Sequence, residues 1–309
     1  MELKVSHDIK ESGVYESIAE ALRYAHEGDV IHIFPGIYKE RIVVLTKGIT
    51  LLGDDPEKTV ITYDLRAKEP FGEKIPDKKY SGIRGTFRTY TLLAYADGIT
   101  LKNLTIENSA GSGDDIGQAI ALYAEGNDIS VINCRLLGHQ DTLFTGPLPP
   151  EEIQSGGFTG PTEFAPRIQG KQSYVNCYIE GDVDFIFGSA EAYFKECEIC
   201  SLHRDKDPEG YVTAPSTPEK AENGYIFINC SFTSKGCDDE SVYLSRPWRE
   251  YAKAVFINCS YGPHIKSEGF HDWNKEKAHE TSFYAEYPMQ PKRVTWAHTL
   301  DDISLYENK

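Results

Sequence analysis

Tyr225-Ile-Phe-Ile-Asn-Cys-Ser-Phe232 and Ala254-Val-Phe-Ile-Asn-Cys-Ser-Tyr261 are two copies of one eight-residue pattern, set 29 residues apart. Each has alternating β-forming residues, then Asn, a small apolar residue, and polar and apolar positions in turn, which is the signature of a strand, a bend and a second strand. Looser copies occupy residues 98–108, 128–136, 172–181 and 192–199, with Glu196 replacing the Asn once. With Leu104, Cys134, Cys177, Cys197, Cys230 and Cys259 as anchors, the intervals are 30, 43, 20, 33 and 29 residues. The pattern is therefore one coil of a solenoid into which loops of unequal length are inserted. Neither the fixed leucines of a leucine-rich repeat nor the 3.6 period of a helical one is present. An all-β, single-stranded parallel β-helix is expected, with equivalent residues stacked at the strand spacing of about 4.8 Å.

The 309 residues read as one domain. Ile18, Ala21, Leu22 and Ala25 recur at helical spacing ahead of Gly28, which predicts a capping helix over about residues 17–27. From about residue 269 to 309 the repeat fades and scattered aromatics replace it, so this extension is expected to pack along the outside of the solenoid. A final short helix is signalled by Thr299 with Asp302. A Pro/Gly-rich stretch, about residues 145–170, lacks the anchor pattern and reads as a loop over a cleft rather than an extra coil.

Lys and Arg number 32 against 48 Asp and Glu, a net charge of −16, which argues against nucleic acid as a partner. No apolar run approaches the ~18 residues of a membrane span. Seven unpaired-looking cysteines suit stacked core positions better than a disulfide framework. Cys197 and Cys200 form one CxxC without a second pair, so no metal is expected.

The anchors also place the polar residues that follow them. Asp141 lies seven residues after Cys134, and Asp184 seven after Cys177. Stacked anchors put both carboxylates on one face of neighbouring coils, where two such groups resist ionising together and divide into an acid and a base. Their surroundings, Gly138-His-Gln-Asp-Thr-Leu-Phe144 and Val183-Asp-Phe-Ile-Phe-Gly188, are unlike solvated turns. Gln118 sits in an apolar run, and Arg246-Pro-Trp248 offers a cation to hold one Asp ionised and a flat ring for a sugar.

Together with Ile33-Phe-Pro-Gly-Ile-Tyr-Lys-Glu40 and Gly85-Thr-Phe87, these motifs make nearly the whole chain resemble the pectin methylesterases, or pectinesterases. The resemblance implies a right-handed parallel β-helix that hydrolyses methyl esters of galacturonate in pectin or methylated oligogalacturonides, releasing methanol without a cofactor. By that resemblance Asp184 is the nucleophile that forms an acyl-enzyme, Asp141 the general acid and then base, Gln118 and Gln140 the oxyanion donors, and Arg246 the partner of Asp184. Trp248, Phe187, Val183 and Thr86 match positions lining the sugar groove. A monomer is expected, with no membrane and no nucleic acid among its partners. The family is usually secreted, whereas unpaired thiols and the lack of an N-terminal apolar leader lean towards the cytoplasm.

Two departures stand out. Ser245 replaces the family's usual Gly before Arg-Pro-Trp, a small and harmless change with room at most to narrow the groove, and the stretch from Asp141 to Asp184 is about a coil longer than usual because of the 145–170 insert. Three other readings fit parts of the pattern. A β-helical glycosidase would also use paired carboxylates, a pectate-lyase-like enzyme would need a calcium cage, and a binding solenoid would need no chemistry. His139 is read as a structural hydrogen-bonding residue, since no GxSxG accompanies it.

Overall fold

A computed structural model describes residues 1–71 and 82–307. The described chain winds into coils whose strands stack in three all-parallel sheets of twelve, eight and seven strands, hereafter the first, second and third walls. This is the expected parallel β-helix. Its axial core is a continuous apolar column running from Leu3 and Val5 to Tyr284.

The anchor pattern is the corner between the first and second walls. Asn103, Asn133, Asn176, Glu196, Asn229 and Asn258 all adopt the left-handed conformation, with φ of 50–55°. Asn tolerates this conformation better than most residues because its short side chain hydrogen-bonds locally. The amide of Asn176 donates to Asn133 at 3.2 Å, and that of Asn133 to Asn103 at 2.9 Å. The cysteine that follows points inward. The thiols of Cys177, Cys197 and Cys230 each donate to a first-wall carbonyl one coil away, at 3.3 Å. All seven cysteines are free, and five are buried. Packing alone accounts for them, so free thiols say nothing about compartment, and the lean towards the cytoplasm loses its basis.

In-register pairing stacks Tyr174, Phe194, Phe227 and Phe256 in the first wall, with ring centroids 4.7, 4.5 and 5.0 Å apart. The 43-residue interval adds no coil. Strands Ile129–Ile132 and Lys171–Val175 pair directly, as do Leu143–Thr145 and Val183–Gly188. Everything between Thr145 and Lys171 is thus excluded from the stack.

At the N-terminal end the helix is Ile18–Tyr24, capped by Ser17 and by Glu40, whose carboxylate accepts the Ile18 and Ala19 N–H groups. It stops short of residue 27 because Ala25 is already extended and the chain turns towards Gly28, at φ 78°. The C-terminal stretch differs more from expectation. Phe283–Tyr287 pairs with Lys253–Ile257 as a further rung of the first wall, with Tyr284 buried against Phe270 at 5.0 Å. Only its last part lies outside, where Leu300, Ile303 and Tyr306 cover the outer face of Ile226, Val255 and Ile257. The closing helix, Ser304–Glu307, is preceded by Asp302, whose carboxylate accepts from the Ser304 N–H and hydroxyl; Thr299 belongs to a short strand instead. Residues 308–309 of the extension, and 72–81 of the single domain, lie outside the described residues.

Candidate active site

The third wall carries the polar residues. Backbone bonds from Ala119 N to Gln140 O and from Asp141 N to Val183 O, both 3.1 Å, show that Gln118, Gln140 with Asp141, and Asp184 follow one another on three successive coils. Arg246 extends the same ladder, its N–H donating to Thr213 O at 3.0 Å. A cavity of about 580 Å³ opens over this wall, with Gln118, Gln140, Asp141, Asp184 and Arg246 all on its surface.

Both aspartates have left-handed backbones, φ 66° at Asp141 and 49° at Asp184. That conformation is rare outside glycine, although Asp is among the residues that enter it. Each lies where the strand alternation is interrupted; around Asp184 the register against the next strand shifts between Val183 and Ile186. The interruption turns out a carboxylate that regular alternation would have buried or placed elsewhere. Both residues are only 7% exposed.

Their electrostatic settings differ. Arg246 grips Asp184 through two parallel bonds, Nε to Oδ1 at 2.7 Å and Nη2 to Oδ2 at 2.6 Å, a strong charge-assisted geometry that favours the carboxylate. The guanidinium is itself held between two rings, with Cζ 3.6 Å from the Tyr211 centroid and 3.7 Å from that of Trp273. No such partner serves Asp141. Burial, and then the neighbouring charge of Asp184, push its carboxyl well above the usual carboxylate range, and Arg246 offsets only part of this. The two carboxyl groups therefore stand in unequal electrostatic surroundings.

The glutamines are neutral donors beside the pair. Gly113 sets the place of Gln140, because a methyl added there would meet its Oε1 at 2.5 Å. Thr86 lines the cavity from a 3₁₀ turn entered through Gly85, at φ 74°. Trp248 and Phe187 also line it, but Phe187 is 4% exposed and forms an aromatic floor with Phe144 and Trp248, at 5.0 and 5.6 Å. Val183 is not brought into the cavity. Its register partner is Tyr211, whose ring lies against Arg246, so it borders the site beside Asp184. Ser245 does not narrow the groove either; it is buried and hydrogen-bonded to Thr213 at 2.7 Å. His139 pairs with buried Asp182 at 3.1 Å, away from the cavity lining.

Several cavity residues carried no signal in the repeat. Trp273 follows the last anchor by 14 residues and reaches the site through its own left-handed turn, φ 56°. Lys275 stands behind it, 4.6 Å from its ring, and donates to the Pro247 and Trp248 carbonyls; burial lowers its ammonium to about 8. Residues 153–158 of the insert line the cavity, as do Lys68 and Ile83. Among the described residues no cluster of three His, Cys, Asp or Glu side chains is placed to hold a metal.

Residues 3–147 and 167–302 match the family model described as Pectinesterase. The chain belongs to the pectinesterase family. It is 31% identical to Pectinesterase 31 of Arabidopsis thaliana over 97% of its own length and 88% of that protein's. It is 30% identical to probable pectinesterase/pectinesterase inhibitor 64 of the same plant, over 93% of its own length but only 46% of the relative's. The chain thus spans about half of that longer pectinesterase/pectinesterase inhibitor. Among solved structures, the pectin methylesterase from carrot superposes with a TM-score of 0.75 at 25% identity, over 97% of this chain and 88% of the other. A pectin methylesterase in complex with a hexasaccharide gives 0.76 at 23% identity, over 99% and 94%, and bears on the fold alone. No described helix of this pectinesterase is long and apolar enough to cross a membrane.

Proposed function

We infer that this pectinesterase hydrolyses the methyl esters of galacturonate units in pectin-type chains, with Asp184 as nucleophile. The observation that supports this most is the unequal aspartate pair: one side chain clamped by Arg246, the other buried beside it with its carboxyl pushed well above the usual carboxylate range. A carboxylate is a weak nucleophile and must be ionised and aimed, which the two-point Arg246 grip provides.

In the first step an Asp184 oxygen attacks the ester carbonyl carbon, and the developing oxyanion is met by the side-chain amides of Gln118 and Gln140. Neutral donors suit this place, since a further cation would compete for the nucleophile's charge. Asp141 gives its proton to the methoxy oxygen as the C–O bond breaks, so methanol leaves and an anhydride joins Asp184 to the sugar carbonyl. Asp141, now a carboxylate, takes a proton from water; the resulting attack on the same carbonyl releases the galacturonate and restores the Asp184 carboxylate. Trp248 and Thr86 are placed to line the sugar track. All of these residues come from one chain, so a monomer suffices.

Acylation needs the Asp141 proton. On the alkaline side the activity therefore declines as pH climbs through the raised Asp141 pKa. The test is to follow methanol and reducing ends together on esterified pectin. Methanol without new reducing ends is expected; reducing ends without methanol would move the chain to glycosidic chemistry and overturn the reading.

A further inference from the structure

Residues 148–166, which the family match leaves out, build one side of the cavity. The segment is tied down along its length. A guanidinium nitrogen of Arg249 donates to Glu151 O at 2.9 Å while the group stacks 4.8 Å from the Trp248 centroid. Phe158, 6% exposed, sets its edge against Phe87 at 5.8 Å and Trp248 at 6.2 Å. Thr162 is hydrogen-bonded to the buried Tyr123 hydroxyl, and Arg167 binds the Thr162 and Ala165 carbonyls at 2.9 and 2.8 Å. Just beyond, the Gln169 amide donates to Ser189 O and Asn223 O at 2.9 and 3.0 Å, fastening the exit to later coils.

This wall changes the shape of the site. Phe158 lines the cavity beside Trp248, so the insert adds an aromatic surface next to the ring offered to a sugar. Lys68 and Ile83, from the segment that leads into the third wall, line the cavity together with the insert. At its tip Ile153 is 72% exposed, an apolar side chain presented at the mouth. The cavity volume, about 580 Å³, falls within the 300–1,000 Å³ usual for small-molecule pockets.

We propose that the insert makes this enzyme selective for short methyl-esterified oligogalacturonides over long pectin chains, with Ile153 and Phe158 as the specificity-determining residues. The proposal rests on the esterase reading above. It is tested by kcat/KM for methanol release, per ester group, on fully esterified oligogalacturonides from dimer to decamer and on long pectin of equal esterification. The wild type is compared with the double variant Ile153→Gly, Phe158→Ala. The wild type should favour short oligomers over polymer by at least ~10-fold, and the double variant should narrow that ratio several-fold. Both rates come from one preparation, so partial unfolding of the variant cancels from the ratio. Equal or higher efficiency on the polymer in the wild type, or an unchanged ratio in the variant, overturns the proposal. Absence of methanol at every length from folded wild type refutes the esterase reading itself.

Discussion

The first and third walls obey the same stacking rule and put it to opposite uses. In the first wall and its corner like sits on like: Phe194 on Phe227 on Phe256, Asn176 on Asn133 on Asn103. In the third wall unlike residues are stacked, with Gln118, Gln140 and Asp141, Asp184 and then Arg246 within one cavity. Repetition gives a wall whose every rung supports the next. Its interruption on another wall of the same coils sets unequal charges side by side without unsettling the fold. Substitutions should therefore divide cleanly, those in the first wall acting on stability and those in the third on rate.

Asp184→Asn should make the division plainest. It removes the nucleophile and leaves Arg246 an amide, so methanol release should fall by more than ~10³-fold. Circular dichroism should still show a folded, if less heat-resistant, protein. Turnover within tenfold of wild type would remove Asp184 from the chemistry. Phe227→Ala is the first-wall counterpart. Truncating a fully buried ring in the stack should cost about 3–5 kcal/mol in denaturant unfolding while kcat per folded molecule stays the same. A comparable loss of kcat would show that the walls are not independent.

Gln140→Ala should lower kcat by about 10²–10³-fold with little effect on KM or melting, because a donor to the oxyanion works mainly in the transition state. A loss confined to KM would place Gln140 in ground-state binding instead. The smallest effect belongs to Glu196, which breaks the Asn ladder in the same left-handed conformation, φ 55°. Glu196→Asn should add roughly 0.5–1 kcal/mol to stability by easing that backbone and restoring the ladder, with no change in rate. A drop in stability would mean that the ladder counts for less than its regularity suggests.

The same contrast explains what could be read in advance. Identity at a fixed offset, as in Asn-Cys-Ser at 229–231 and 258–260, is visible in a bare sequence, and so the β-helix was legible. Asp141 and Asp184 were legible too, because both stand seven residues from an anchor. Tyr211, Trp273 and Lys275 were not. Their places depend on ring and ammonium contacts with Arg246 and its neighbours, and no repeat position marks them. Val183 shows the limit of motif reading: being next to Asp184 does not decide which side of an interrupted strand a side chain takes. The C-terminal extension misled for a related reason. Phe283–Tyr287 pairs like any first-wall strand, yet no Asn and Cys follow it to announce the coil.

The central claim is that Asp141 carries a proton at neutral pH while Asp184, 43 residues along the chain and one coil away, does not. Infrared difference spectra of wild type, Asp141→Asn and Asp184→Asn at pH 7 test it directly. The protonated-carboxyl band should lose the part due to Asp141 in Asp141→Asn, leaving that of buried Glu125, whose carboxyl is pushed up to about 8, and in wild type fade only as pH is raised well above the ordinary carboxylate range. A wild-type spectrum with no band that depends on Asp141, or one lost with Asp184→Asn while Asp141 proves ionised, would contradict it.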